Sequence, residues 1–192
     1  MNAKISDFGM AKIFNLTEEE ANINHIVGTL GYIAPENAMG GISSLKSDVY
    51  SFGVLLLEII TAQKNYNNYD VERPMNLIGY AWEVWVNGRG EELIDPTLCN
   101  SDQKPKALRC IHVSLLCVQQ IPTDRPTMLD VYFMIQNDST QLPLPKQPPF
   151  FITQNSKLEV VTDGIELKSE STTEICSSNS QHAKQILLLA DH

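Results

Sequence analysis

The chain has 192 residues, 43% of them hydrophobic and 19% charged, which suits a globular protein of one ordinary domain. Its 14 basic and 23 acidic residues give a formal net charge of -9, a field that repels phosphate backbones and argues against nucleic-acid binding. No secretory leader is read at Met1 to Asp7, and the longest apolar stretch, Val49 to Ile60, is shorter than the roughly 20 residues of a membrane-spanning helix, so no membrane anchor is expected here.

In chain order, Ala3 to Ile5 reads as a short strand leading into Asp7-Phe8-Gly9. Residues Gly28 to Gly41 hold four glycines and Pro35 and are expected to form an irregular loop. Ser47 is expected to cap the helix that follows, with Asp48 in its first turn, where a carboxylate complements the helix dipole. That helix is apolar on nearly every side, from Val49 through Ile60, so other elements must surround it. A second helix is expected over Asn76 to Val86, ending at a left-handed Gly88. A third runs from Lys106 to Gln119, with Leu108, Ile111, Leu115 and Val118 on one face. The fourth begins at Thr127, whose spacing to Asp130 makes a capping box, and buries Met128, Val131, Met134 and Ile135.

Cysteines stand at Cys99, Cys110, Cys117 and Cys176, without metal-ligand spacing. Cys110 and Cys117 on one helix would lie about 10 Å apart, beyond disulfide reach, so reduced core thiols are expected. After Asp138 the composition changes. Leu142 to Pro149 is proline-rich and should be extended. Beyond Thr153 the chain is rich in Ser, Thr, Glu and Asn, which predicts disorder apart from a short helix near Ile186 to Ala190.

Motifs follow one another in a telling order. Asp7-Phe8-Gly9 comes first, then Gly28-Thr29-Leu30-Gly31-Tyr32-Ile33-Ala34-Pro35-Glu36. Asp48-Val49-Tyr50-Ser51-Phe52-Gly53 opens the apolar helix, and Asp124-Arg125-Pro126-Thr127 precedes the last one. This set resembles the C-terminal lobe of a protein kinase over residues 1–138. Asn76-Leu77-Ile78-Gly79-Tyr80-Ala81-Trp82, Leu93-Ile94-Asp95-Pro96, Arg109-Cys110-Ile111-His112-Val113 and Leu116-Cys117-Val118-Gln119 resemble plant receptor-like serine/threonine kinases, the G-type lectin S-receptor-like group in particular. Pro145 to Phe151 looks like that group's post-kinase tail. The fold class expected is therefore mainly α, an incomplete kinase C-terminal lobe (1–138) with a proline-rich and then disordered tail (139–192).

The resemblance implies roles. Asp7 would hold the Mg²⁺ that bridges ATP phosphates, Phe8 would pack inward to aim it, and Gly9 would permit the turn. Thr29 would lie in the loop that presents the substrate hydroxyl. Glu36 and Arg125 would form a buried ion pair anchoring the activation segment, and Asp48 would accept backbone hydrogen bonds from the catalytic loop. Between Asp7 and Glu36 the hydroxyls are Thr17, Thr29 and Tyr32. Related receptors often carry Thr at Ile23 and Arg at His25, so a usual phosphosite and its cation are expected to be missing. Asn37 replaces a usual Tyr, with no consequence derivable from sequence.

The complete kinase would use Mg²⁺ and ATP and act on protein substrates or other receptor kinases, at the cytoplasmic side of the plasma membrane. This chain carries no glycine loop, V-A-I-K lysine or H-R-D catalytic loop. By itself it is expected to be cytoplasmic, to bind neither ATP nor metal tightly, and to be inactive. The alternative is a truncated, non-catalytic lobe that binds or competes with full-length receptor kinases; a generic helical domain with coincidental motifs is the third reading. Missing packing partners are expected to expose Leu55, Leu56 and Ile59 and to make the isolated chain poorly soluble.

Overall fold

The computed structural model describes Lys4, Ser6, Phe8, Gly9, Ala11, Ile13, Gly28, Thr29 and residues 20–22, 31–65, 76–98 and 101–149. The expected strand at Ala3 to Ile5, Asp7, Thr17, Ile23, His25, Cys99, Cys176, the tail beyond Thr153 and its short helix lie wholly or partly outside the described residues.

The elements are β1 (Glu20–Asn22), α1 (Pro35–Gly40), β2 (Ile42–Ser44), α2 (Leu45–Thr61), α3 (Leu77–Val86), α4 (Lys104–Cys117) and α5 (Met128–Gln136). Short 3-10 turns occupy Gly90–Leu93, Ser101–Gln103 and Pro122–Asp124. The architecture is mainly helical, as its apolar periodicity requires. The two strands, not anticipated from the sequence, pair antiparallel with Ala21 opposite Ser43.

The stretch expected as irregular loop contains α1. Pro35 occupies the first turn, where its missing N–H costs nothing, and Gly41 closes the helix at φ 59. The cap of α2 also differs from expectation. Ser44, in extended conformation, is the N-cap, and Ser47 is the third helical residue of a reciprocal capping box. Ser47 N–H donates to Ser44 Oγ at 3.3 Å, and Ser44 N–H donates to Ser47 Oγ at 3.1 Å. The motif Ser-x-x-Ser lacks the Glu or Gln that usually signals such a box, which hid it.

Helix α2 crosses the centre of the core and packs chiefly on α4. Val54, Leu57, Leu77, Ile78, Ala81, Ile111, Val113 and Leu115 are all fully buried. Each such aliphatic side chain larger than alanine contributes about 1.5–3 kcal/mol on burial. Of the three side chains expected to be exposed, Leu55 is 45% exposed, whereas Leu56 is buried and Ile59 half-buried. In α5, Val131 and Ile135 are buried and Met134 packs partly against the core, whereas Met128 is 45% exposed. Met128 is the first residue of its helix. Helix α3 starts at the Asn76 cap, whose side chain accepts from Gly79 N–H, and ends before Gly88 at φ 70. Cys110 and Cys117 are buried thiols not joined to each other.

The contact between α2 and α4 depends on Gly53. An ideal Cβ there would lie 2.6 Å from Cys117 Cβ and 2.9 Å from Val118 Cγ1. Gly53→Ala is therefore expected to destabilise by about 1–3 kcal/mol, despite alanine's better helix propensity. Urea unfolding with an unchanged or higher midpoint would contradict this close approach.

Candidate functional site

The functional features gather where α1, the N-terminal turn of α2 and the loop before α5 meet. Arg125 is the hub. Its side chain is fully buried, and Glu36 is 12% exposed. Arg125 Nη1 donates to Glu36 Oε1 at 2.7 Å and Nη2 to Glu36 Oε2 at 2.8 Å, a bidentate fork. The remaining N–H groups reach main-chain carbonyls: Lys46 at 2.9 Å, Gln120 at 3.2 Å and, from Nε, Gln119 at 2.8 Å. A guanidinium has five N–H donors, and all five are used. The Tyr50 ring lies 5.0 Å from the guanidinium carbon, so the buried cation also meets a π face. Lys46 Nζ returns a bond to Arg125 O at 2.5 Å.

Ser47 extends this centre. Its hydroxyl lies 3.0 Å from Glu36 Oε1 and 2.7 Å from Asn37 Oδ1, and it donates its one proton into that pair. Asn37, whose role was opaque in the sequence, thus shares the α2 cap. Burial alone would raise the Glu36 carboxyl. The Arg125 fork, a backbone bond and the Ser47 hydroxyl outweigh it and hold the group below the usual glutamate range.

A second network, missed from the sequence, holds Gly31 to Tyr32 on α2. Tyr32 donates its hydroxyl to Glu58 Oε2 at 2.5 Å, and Asn65 N–H donates to Glu58 Oε1 at 2.7 Å. Asn65 Nδ2 donates to Gly31 O at 2.8 Å, and Ser51 Oγ to Tyr32 O at 2.7 Å. Lys64 Nζ lies 3.5 Å from Glu58, whose side chain is 3% exposed. Burial first, and the Glu58 carboxylate second, push the Tyr32 phenol well above its ordinary range. The one available signal was Glu58 itself, a carboxylate interrupting an otherwise apolar helix. Such a residue requires buried partners.

The other expected site residues are less gathered. Thr29 is exposed, and its carbonyl accepts from Tyr32 N–H at 3.1 Å, closing a turn. Gly9 lies in a turn closed by Ala11 N–H on Phe8 O at 3.0 Å. Phe8 does not pack inward: it is 68% exposed. Asp48 stands in the first turn of α2 with its outer edge open to solvent. Partial burial, with no partner among the described residues, nudges its carboxyl above the usual aspartate range. Asp7 lies outside the described residues. Among those described, no three His, Cys, Asp or Glu side chains gather as a metal site.

Residues 1–135 match the family model for protein tyrosine and serine/threonine kinases. Over 151 residues the chain is 50% identical to cysteine-rich receptor-like protein kinase 10 of Arabidopsis thaliana, covering 79% of this chain and 23% of that protein. Over 180 residues it is 47% identical to the G-type lectin S-receptor-like serine/threonine-protein kinase B120 of the same plant, covering 93% and 21%. Among solved structures it is similar to the pseudokinase domain of BIR2, an immune regulator of the RLK/Pelle family. That likeness has a TM-score of 0.51 and 28% identity over 58% of this chain and 33% of that one. The chain thus spans under a quarter of the length of these curated relatives.

Removing either member of the Glu36–Arg125 pair leaves the other charge buried. Arg125→Ala is expected to cost about 3–5 kcal/mol in denaturant unfolding; a midpoint indistinguishable from the parent would refute the anchor. Because the folded Glu36 is depressed, its contribution is complete above the ordinary glutamate range and is lost as pH falls through the lowered value. Glu36→Gln should therefore flatten the acid limb of a stability–pH curve, and an unaltered limb would contradict the coupling.

Proposed function

Because the chain belongs to the protein tyrosine and serine/threonine kinase family, we propose that it supplies the activation-segment and substrate-side lobe of a receptor-like serine/threonine kinase. In the complete enzyme the γ-phosphoryl group of ATP passes to a Ser or Thr hydroxyl of a protein substrate, with Mg²⁺ bridging the phosphates. Asp7 is the metal ligand carried here, and Thr29 lies in the loop that meets the substrate. The reading extends to lobe boundaries at residues 1–138 and to action at the cytoplasmic face of the plasma membrane.

The observation that carries this reading is the fully satisfied Arg125 fork on Glu36. It ties the end of the Gly28–Glu36 segment to α2 and to the loop before α5. The Tyr32–Glu58 network holds the same segment a few residues earlier. A substrate platform needs such rigidity, since misplacing a hydroxyl by about 1 Å can cost about 100-fold in rate.

No G-x-G-x-x-G or H-R-D motif occurs in these 192 residues. The isolated chain is therefore proposed to transfer no phosphate and to bind Mg²⁺ and ATP weakly at most. The likeness to a pseudokinase domain favours a second reading: a non-catalytic lobe that binds or competes with full-length receptor kinases.

A chimera separates the two readings. Residues 1–138 would replace the matching segment of cysteine-rich receptor-like protein kinase 10, and phosphoryl transfer to a Ser/Thr peptide would be measured. Activity within about tenfold of that parent, a difference of about 1.4 kcal/mol in barrier, is expected, with loss on Arg125→Ala. A folded chimera that binds ATP yet transfers nothing would sink the catalytic reading and leave the binding one.

A further inference from the structure

The proline-rich stretch after α5 is held in place by side chains of α4 and of the loop just after it. Arg109 donates to the carbonyls of Met134 at 2.5 Å, Asp138 at 3.4 Å and Thr140 at 2.8 Å. His112 Nε2 lies 2.7 Å from Pro143 O, and since that carbonyl can only accept, the ring donates. Gln119, 2% exposed, makes a reciprocal pair with the Lys146 main chain. Its Nε2 donates to Lys146 O at 2.9 Å, and its Oε1 accepts from Lys146 N–H at 2.9 Å. Leu142 packs against the core, and Pro148 and Pro149 are buried. A flexible linker would show none of these bonds.

Proline chemistry suits this arrangement. Pro143, Pro145, Pro148 and Pro149 have no N–H to leave unsatisfied and favour an extended backbone before it docks, so little entropy is lost on seating. Their carbonyls stay open to side-chain donors, which is how extended proline-rich segments are recognised.

We propose that residues 140–149 are a strap, an extended proline-rich peptide seated in cis on a recognition face of α4, and that its seating braces the Arg125 anchor. Two links carry the second half. Gln119 holds the strap with its side chain while its main-chain carbonyl accepts from Arg125 Nε at 2.8 Å. Lys146 Nζ lies 2.7 Å from Asp124 Oδ1, the residue immediately before Arg125. Lifting the strap therefore releases the side chain of Gln119, whose main-chain carbonyl holds the guanidinium, and the Asp124 carboxylate one residue before Arg125. A proline-binding partner that captured Pro143 to Pro149 would act on the Gly28–Glu36 segment through Arg125. The importance of that segment rests on the kinase reading; the strap itself does not.

The test is amide and guanidinium hydrogen exchange on the full chain. In the parent, Lys146 N–H should exchange at least about tenfold more slowly than in an unfolded peptide. In Leu142→Asp its protection should vanish and Arg125 Nε–H exchange should quicken about tenfold or more, with the Leu56 and Leu57 amides unchanged. If those core amides also quicken, Lys146→Pro, which removes the strap's donor without touching the core, must by itself quicken Arg125 Nε–H exchange about tenfold or more. An unprotected Lys146 amide in the parent overturns the strap. A lifted strap with unaltered Arg125 exchange overturns the bracing. An inactive chimera beside a protected Lys146 would count against the kinase reading alone.

Discussion

A buried guanidinium must have every N–H satisfied, and the lobe is arranged around meeting that requirement for Arg125. Its five donors reach α1 through Glu36, the first turn of α2 through the Lys46 carbonyl, and the loop just after α4 through the Gln119 and Gln120 carbonyls. Three elements distant in sequence are thereby held at one point. An isolated buried charge would cost many kcal/mol; here desolvation is offset by a bidentate carboxylate, three carbonyls and the Tyr50 face. The same arithmetic makes the arrangement all-or-none, because no single partner can leave without stranding charge.

Helix α2 supplies the rigid reference for this point. It is surrounded by α3 and α4 and approaches α4 closely at Gly53. From its first turn it presents Lys46 and Ser47 to the anchor; from its last turns, Glu58 to Tyr32. Both ends of the segment running from Gly31 to Glu36 are thus fastened to one helix. The segment preceding α1 meets its surroundings through polar bonds as much as through apolar packing, which suits an element that must present a surface.

Membership of the kinase family and the length spanned relative to the relatives bear on how this lobe works. The carboxylate expected to bind metal and the platform expected to meet substrate belong to this chain, while phosphate-cradling and proton-accepting motifs are not among its residues. Phe8 and Asp48 both stand open among the described residues. In the proposed complete kinase each has a neighbour to meet, Phe8 an apolar one and Asp48 a set of main-chain donors.

The sequence by itself determined the mainly helical class, the family, the periods of α2 to α5, the Thr127–Asp130 box and the candidate pair Glu36–Arg125. These rest on local propensity, spacing or ordered motifs, which survive without knowledge of contacts. Only the tertiary structure decided the rest. Helix α1 emerged inside a glycine-rich stretch because its first-turn Pro35 and Gly41 cap act as helix boundaries once Glu36 is held. The cap of α2 moved from Ser47 to Ser44 because two serines can cap each other when β2 delivers Ser44 in extended form. Met128 and Phe8 turned outward because burial depends on which neighbour stands opposite, and periodicity does not name the neighbour. The Glu58, Asn37 and Gln119 bonds were illegible for the same reason: each joins residues distant in sequence, or a side chain to a main chain that has no sequence signature.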